Sequence, residues 1–322
     1  MIRTTSLRIQ GRKGEFEKDR NFLATAASVV MDMKSFSSRF SSFFRKCMCI
    51  SGAFFLLVAI HSEAVILNSG DDNTNTTAAS YTSSDISSLW NSVASVLDSS
   101  GNYSASAVYL GNGYFITANH VGLSTTVELA GTDYAIDYSY TPLQIGTADL
   151  KIFRVSGTAA ATSILLDTTS GNDVGKTGLI IGFGVGNNGA TTGGYLWGSN
   201  YDQRWGTNTV EALTIASGTT CLMTYFDTSA GSNEAALTLG DSGGALFEYV
   251  GGKWYLSGIA IGVEESGQSV DGDYNCYAQV AAYASVISSQ VSAVPEPTTY
   301  ALMTMGAGLI LLAVRKQRRN SR

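Results

Sequence analysis

Gly240-Asp241-Ser242-Gly243-Gly244 runs directly into Ala245-Leu246-Phe247-Glu248-Tyr249-Val250. The second half is a short apolar run rich in residues that favour strands. The first half is a tight turn: a serine between glycines, preceded by an acid. Such a turn can present a hydroxyl and several outward N–H groups at one point, as acyl transfer requires. Taken alone, a Gly/Asp/Ser cluster is an ordinary turn. It gains chemical meaning only if a base and an orienting carboxylate lie elsewhere in the chain.

Upstream and downstream the same texture repeats. Short β-type runs are separated by Gly and Asn turns: Ala107–Leu110, Tyr114–Thr117, Thr126–Leu129, Leu150–Val155, Gly178–Phe183 and Trp254–Ile261. Many short strands at this spacing predict an all-β antiparallel barrel or sandwich rather than βαβ units. Helical spacing of Ile86, Leu89, Trp90, Val93 and Val96-Leu97 predicts a short helix over 85–97, and residues 279–291 read as a closing helix. Residues 68–84, rich in Asp, Asn, Thr and Ser, read as a mobile polar segment.

The charges divide the chain. Ten Lys/Arg precede residue 47 and five follow residue 314, leaving five against twenty Asp/Glu in residues 65–293, a formal charge of −15. So acidic a body argues against nucleic-acid binding. Ahead of it, Lys34, Arg39, Arg45 and Lys46 precede an apolar run ending at Ile60, then Ser62-Glu63-Ala64. This predicts an export signal over 1–64, cut by signal peptidase after Ala64, with 1–30 a start-site artefact if Met31 or Met33 begins the chain. A polar segment, 65–84, then leads into the main domain, 85–293.

Outside the leader, which contains His61, the chain has one histidine, His120, in Tyr114-Phe115-Ile116-Thr117-Ala118-Asn119-His120. If Ser242 needs an imidazole base, His120 is the candidate. No spaced partners around it suggest a metal site, and no cofactor is expected. Asp149, heading the strand Leu150-Lys151-Ile152, can accept the imidazole N–H and fix its tautomer. Cys221 and Cys276 are either one disulfide or two buried thiols.

The order His120, Asp149, Ser242, within Thr117-Ala118-Asn119-His120, Ala148-Asp149-Leu150 and Gly240-Asp241-Ser242-Gly243-Gly244, resembles the chymotrypsin/trypsin-like serine peptidase family over residues 80–290. The resemblance implies two antiparallel six-stranded β-barrels with a short C-terminal helix, and an exported serine endopeptidase acting on a polypeptide substrate. It assigns Ser242 as nucleophile, His120 as general base then acid, and Asp149 as orienting carboxylate. The N–H groups of Gly240 and Ser242 would form the oxyanion hole. Asp241 would pair with an N-terminal amine freed by activation, although Val65-Ile66-Leu67-Asn68 lacks the family's paired glycines. The specificity pocket would be bordered by residues 234–239 and 262–264, with Ala236 where basic-specific members carry an acid. Asn119 and Ala245 depart from the family's usual residues, and no cysteine follows the histidine. The competing expectations are a catalytically inactive trypsin-fold surface or binding protein, and an adhesin with an incidental turn.

Beyond residue 293, Val294-Pro295-Glu296-Pro297, the apolar run 300–314 and Arg315-Lys316-Gln317-Arg318-Arg319 resemble the PEP-CTERM sorting signal of Gram-negative bacteria. That implies an exosortase-type partner for segment 294–322. It also implies delivery to the cell envelope, outer surface or extracellular matrix. The transmembrane helix 300–314 would anchor the protein at least transiently in the inner membrane; fifteen residues are short of the ~20 a bilayer needs.

Overall fold

The structure is a computed structural model that describes residues 65–78, 86–159, 161, 163–264 and 267–292. The expected export signal, the Pro-Glu-Pro segment and helix 300–314 lie outside the described residues. Among the described residues no helix is long and apolar enough to cross a membrane.

The chain enters through β1 (Ile66–Leu67) and a one-turn helix, α1 (Ser87–Trp90). A first sheet follows: β2 (Val93–Leu97), β3 (Tyr103–Gly111), β4 (Tyr114–Thr117), β5 (Thr126–Leu129), β6 (Thr132–Ala135), β7 (Leu143–Gln144) and β8 (Lys151–Arg154). Its order is β6-β5-β2-β3-β4-β8-β7. Next come β9 (Thr177–Gly182), the ribbon strands β10 (Val185–Thr191) and β11 (Gly194–Tyr201), β12 (Arg204–Ala216) and β13 (Thr219–Tyr225). The chain finishes with β14 (Ala235–Ala236), β15 (Ala245–Val250), β16 (Lys253–Val263), β17 (Gln268–Val270), β18 (Tyr274–Gln279) and α2 (Val280–Ser292). Here β12-β13-β18-β16-β15-β9 close into a six-stranded barrel.

The second barrel matches the expected six strands; the first needs correction. It is a seven-stranded sheet in which β7 adds a two-residue edge to β8. The residues just past β6 meet those just past β8 through one bridge, Ile136 to Val155, flanked by Asp137 N–H to Arg154 O (2.8 Å) and Ser156 N–H to Ala135 O (2.8 Å). Strand β6 is only four residues long and largely exposed, too short for a full closing ladder.

Alternation explains why the strands read as continuous apolar runs. In β3, Ala107 and Tyr109 fill the first sheet's own core, while Val108 and Leu110 face the seam between the modules. In β9, Ile180 points into the barrel and Leu179 and Ile181 into the seam. With both faces buried, no polar residue breaks the run. The seam is the largest apolar cluster, joining Ile116, Leu150 and Ile152 to Trp205, Phe247 and Ile259.

Two expectations fail for local reasons. Only Ser87–Trp90 of the expected helix is helical; Val93–Leu97 is a wholly buried strand paired with β3 and β5. The sheet offers partners on both edges of this β-branched run, which overrides its helical spacing. The polar stretch after residue 68 is also no free tail over the described residues. Val65, Ile66 and Leu67 are buried, and β1 pairs with β14. The wholly buried Arg204 donates from Nε to Asp72 O and from a terminal nitrogen to Val65 O. Trp205 donates its N–H to Asn75 O and its indole N–H to Thr77 O. Residues 65–78 thus form a belt held by hydrogen bonds to β12, which an apolar-pattern reading does not register.

The seam carries a direct expectation. Ile181→Ala leaves a cavity where two modules meet and should lower the unfolding free energy by about 2–5 kcal/mol in a urea titration. A loss under about 1 kcal/mol would mean the two faces are not tightly mated.

Candidate active site

Three segments converge where the seam reaches the surface. His120 follows β4 at the point where the strand leaves the sheet, Asp149 precedes β8, and Ser242 lies in the turn before β15. Because β4 and β8 are paired, the ends of both strands come out together. His120 Nδ1 lies 2.7 Å from Asp149 Oδ2, and its Nε2 lies 2.9 Å from Ser242 Oγ. The His120 backbone N–H also donates to Asp149 Oδ1 at 2.9 Å, fixing the carboxylate plane against the ring.

Partial burial pushes the Asp149 carboxyl up, but the hydrogen bonds from the His120 ring and backbone outweigh it, and the net shift is downward. An ionised carboxylate only accepts, so it takes the Nδ1 proton and leaves Nε2 as acceptor for the serine hydroxyl. The Asp149 N–H in turn donates to the buried Thr219 Oγ1 at 2.8 Å. Lys151 donates to Val121 O; burial lowers its pKa and Asp149 counters that.

The serine turn is anchored from below by Ser106 on β3. Its N–H donates to Ser242 O (2.9 Å), its hydroxyl donates to Gly240 O (2.9 Å), and that hydroxyl accepts from Phe183 N–H (2.9 Å). From above, Gly243 N–H donates to Ala260 O and Ala260 N–H to Gly244 O, pinning the turn to β16. Gly243 must be glycine. Its φ is +89°, and a Cβ there would come within 2.0 Å of Ser106 O and 2.1 Å of Thr117 Oγ1. Among the described residues, the N–H groups of Gly240 and Ser242 donate to no backbone carbonyl. They remain available where an oxyanion would form.

Asp241 points the other way and is wholly buried. Gly184 N–H reaches its Oδ1 at 2.9 Å, and Thr238 supplies N–H (2.8 Å) and hydroxyl (3.0 Å) to Oδ2. A Cβ on Gly184 would sit 2.4 Å from that carboxylate, so only glycine lets the backbone wrap it. Burial pushes the acid up to about 6, against the hydrogen bonds of Thr238 and Gly184 and the charge of Arg204. The local partners of Asp241 are therefore Thr238 and Gly184; the sequence alone pointed only to a free N-terminal amine.

One cavity opens on the pair His120 and Ser242, and a second opens beside Asp149. The first, of ≈ 520 Å³, is lined by His120, Leu123, Leu239, Gly240, Ser242 and Asp98 among others. The other, of ≈ 270 Å³, is lined by Asp149, Ile261, Gly262, Val263, Tyr274 and Cys276 among others. Residues 262–263 thus border a cavity, but Ala236 does not. It is 1 % exposed, packed with Ile66 and Phe226 beneath β1, and cannot form the floor of an open pocket. Cys221 and Cys276 are unbridged thiols on adjacent strands. Cys221 faces Ala278 and Cys276 faces Met223, so the two are diagonal neighbours, a poorer placement for a bridge than a directly opposed pair. Their mutual hydrogen bond lowers Cys221 and raises Cys276.

The profile of the PEP-CTERM protein-sorting motif matches residues 293–319. No curated protein matches the sequence significantly. Among solved structures, mouse neuropsin, described as a serine protease expressed in the limbic system of the brain, is similar at a TM-score of 0.47 and 16 % identity. The match covers 64 % of this chain and 96 % of that one.

Two outcomes test these contacts. Ser106→Ala strands the Gly240 carbonyl and the Phe183 N–H in the seam and should cost about 1–3 kcal/mol. Ser104→Ala, at the exposed start of the same strand, removes only the bond from its hydroxyl to Val96 O (2.9 Å) and should cost less, about 0.5 kcal/mol. The second outcome concerns pH. The folded Asp241 sits near 6, above its unfolded value, so its contribution is present below about pH 4 and lost as pH rises through 6. Asp241→Asn should flatten the fall in unfolding free energy between those limits by on the order of 3 kcal/mol. An unchanged pH slope would show that the carboxylate is not desolvated.

Proposed function

We propose that the chain is an exported serine endopeptidase that cleaves polypeptides through an acyl-enzyme, with no cofactor in the chemistry. The observation that carries this reading is the continuous hydrogen-bonded relay from Ser242 Oγ through the His120 ring to Asp149. In the first step, His120 Nε2 takes the hydroxyl proton as Ser242 Oγ attacks the scissile carbonyl, and Asp149 stabilises the imidazolium. The oxyanion points to the N–H groups of Gly240 and Ser242, each worth ~3 kcal/mol in the transition state. His120 then protonates the departing amine. Water, activated by the same imidazole, releases the acyl group. The PEP-CTERM segment supports export to the cell envelope, with an exosortase-type enzyme as processing partner.

A second reading, a binding protein on the same scaffold without turnover, is favoured by one observation: Ala236 is sealed beneath β1. A fluorophosphonate probe separates the two. The peptidase reading expects covalent labelling at Ser242, none in Ser242→Ala, and hydrolysis slowed about 10⁴-fold in Asp149→Asn. Absence of labelling in correctly processed protein, beside a fully labelled trypsin control, selects the binding reading.

A further inference from the structure

Away from the serine turn, three carboxylates meet at the base of the second barrel. One oxygen each from Asp167, Asp173 and Glu248 lies within 4.8 Å of the others. Asp173 and Glu248 are buried (1 % and 0 % exposed), and Asp167 is half-buried. Among the described residues, Lys176 Nζ donates to Glu248 Oε2 (2.9 Å), Gln279 Nε2 to Asp173 Oδ2 (2.6 Å) and Thr169 N–H to Asp167 Oδ1 (2.8 Å). The remaining oxygens, Asp173 Oδ1 and Glu248 Oε1, are shut off from water with no hydrogen-bond partner. Buried acceptors are nearly always satisfied, and two orphans within one acidic cluster point to something that binds there.

We propose that Asp167, Asp173 and Glu248 form a calcium site. Three carboxylates and one ammonium leave two negative charges in a sealed place, which a divalent cation neutralises. All donors are oxygens, which excludes a preference for soft metals. Oxygens within 4.8 Å of one another can share an ion at 2.3–2.6 Å, the calcium distance, and calcium accepts irregular carboxylate sets where magnesium demands a near-ideal octahedron. A cavity of ≈ 220 Å³ lined by Asp167, Thr168, Thr169, Asn172 and Lys176 borders the cluster on its Asp167 side.

The ion would add a cross-link between three segments of the chain. Asp167 follows Leu166, whose bridge to Leu256 lays the inter-module connection on β16. Asp173 lies in the turn before β9, and Glu248 is on β15, the strand that leaves the serine turn. This site does not depend on the peptidase reading, since none of its residues touches Ser242.

The test uses full-length protein carrying Ser242→Ala to prevent self-cleavage, stripped with chelator and titrated with calcium chloride. Bound calcium is read by atomic emission after equilibrium dialysis, alongside the thermal midpoint. One calcium per chain is expected, with a dissociation constant of about 10⁻⁴–10⁻³ M, as in other extracellular sites. The thermal midpoint should rise as the ion binds. Glu248→Gln and the half-buried Asp167→Asn should each weaken binding at least about tenfold. Lys176→Met, which removes the competing ammonium, should tighten it. If Glu248→Gln does not fold, Asp167→Asn gives the same comparison. Three results overturn the proposal: no calcium retained at about 1 mM, equal binding in the carboxylate variants, or an equal midpoint shift with magnesium chloride.

Discussion

The hydrogen bond from Ser106 N–H to Ser242 O is the joint on which the molecule turns. It runs from the first sheet into the serine turn of the second barrel, across a seam otherwise filled by aliphatic side chains. Apolar contact is non-directional and could tolerate sliding of one face over the other. The Ser106 cluster is directional: the backbone bond, the hydroxyl to Gly240 and the acceptance from Phe183 fix one register. With that register set, His120 at the end of β4 lies 2.9 Å from Ser242 Oγ and not merely nearby.

Charge is handled differently on the two sides of the serine turn. Toward the cleft, Asp149 is half-solvated and held down by imidazole contacts. Toward the interior, Asp241 is stripped of water and held up in spite of three hydrogen bonds. One acid keeps its charge beside the imidazole; the other anchors the backbone that carries the serine. Both occur in a body where four of the five cations have named partners: Arg154 with Asp137, Lys176 with Glu248, Lys151 with Val121 O and Arg204 with the belt.

Much of the site was legible in the chain. A single histidine after an apolar strand, an acid heading another, and a serine between glycines are rare enough to be picked out by type and order. Strand limits such as 114–117 and 245–250 were also readable, because both faces are buried over 114–117 and 245–248 and leave apolar runs. The supporting hydroxyls were not. Ser106, Thr219 and Thr238 are ordinary letters in a Ser/Thr-rich chain, and only tertiary proximity gives them partners. The ribbon β10–β11 was hidden because Gly, Asn and Thr supply little alternation there; pairing, not pattern, makes it a sheet. The belt 65–78 was hidden because its contacts are main-chain carbonyls, which no side-chain pattern encodes.

Helix α2 ends at Ser292, and the carbonyl of Val291 accepts a hydrogen bond from Asn112 Nδ2 at 3.1 Å. Asn112 is the tip of the β3–β4 hairpin, whose other end leads to His120. The point from which the sorting segment departs is therefore latched to one pole of the hairpin, and the cleft opens at the other, on the order of 10 Å further along the strand. The exit of the chain at Ser292 and the opening beside His120 thus lie at opposite ends of one four-residue strand.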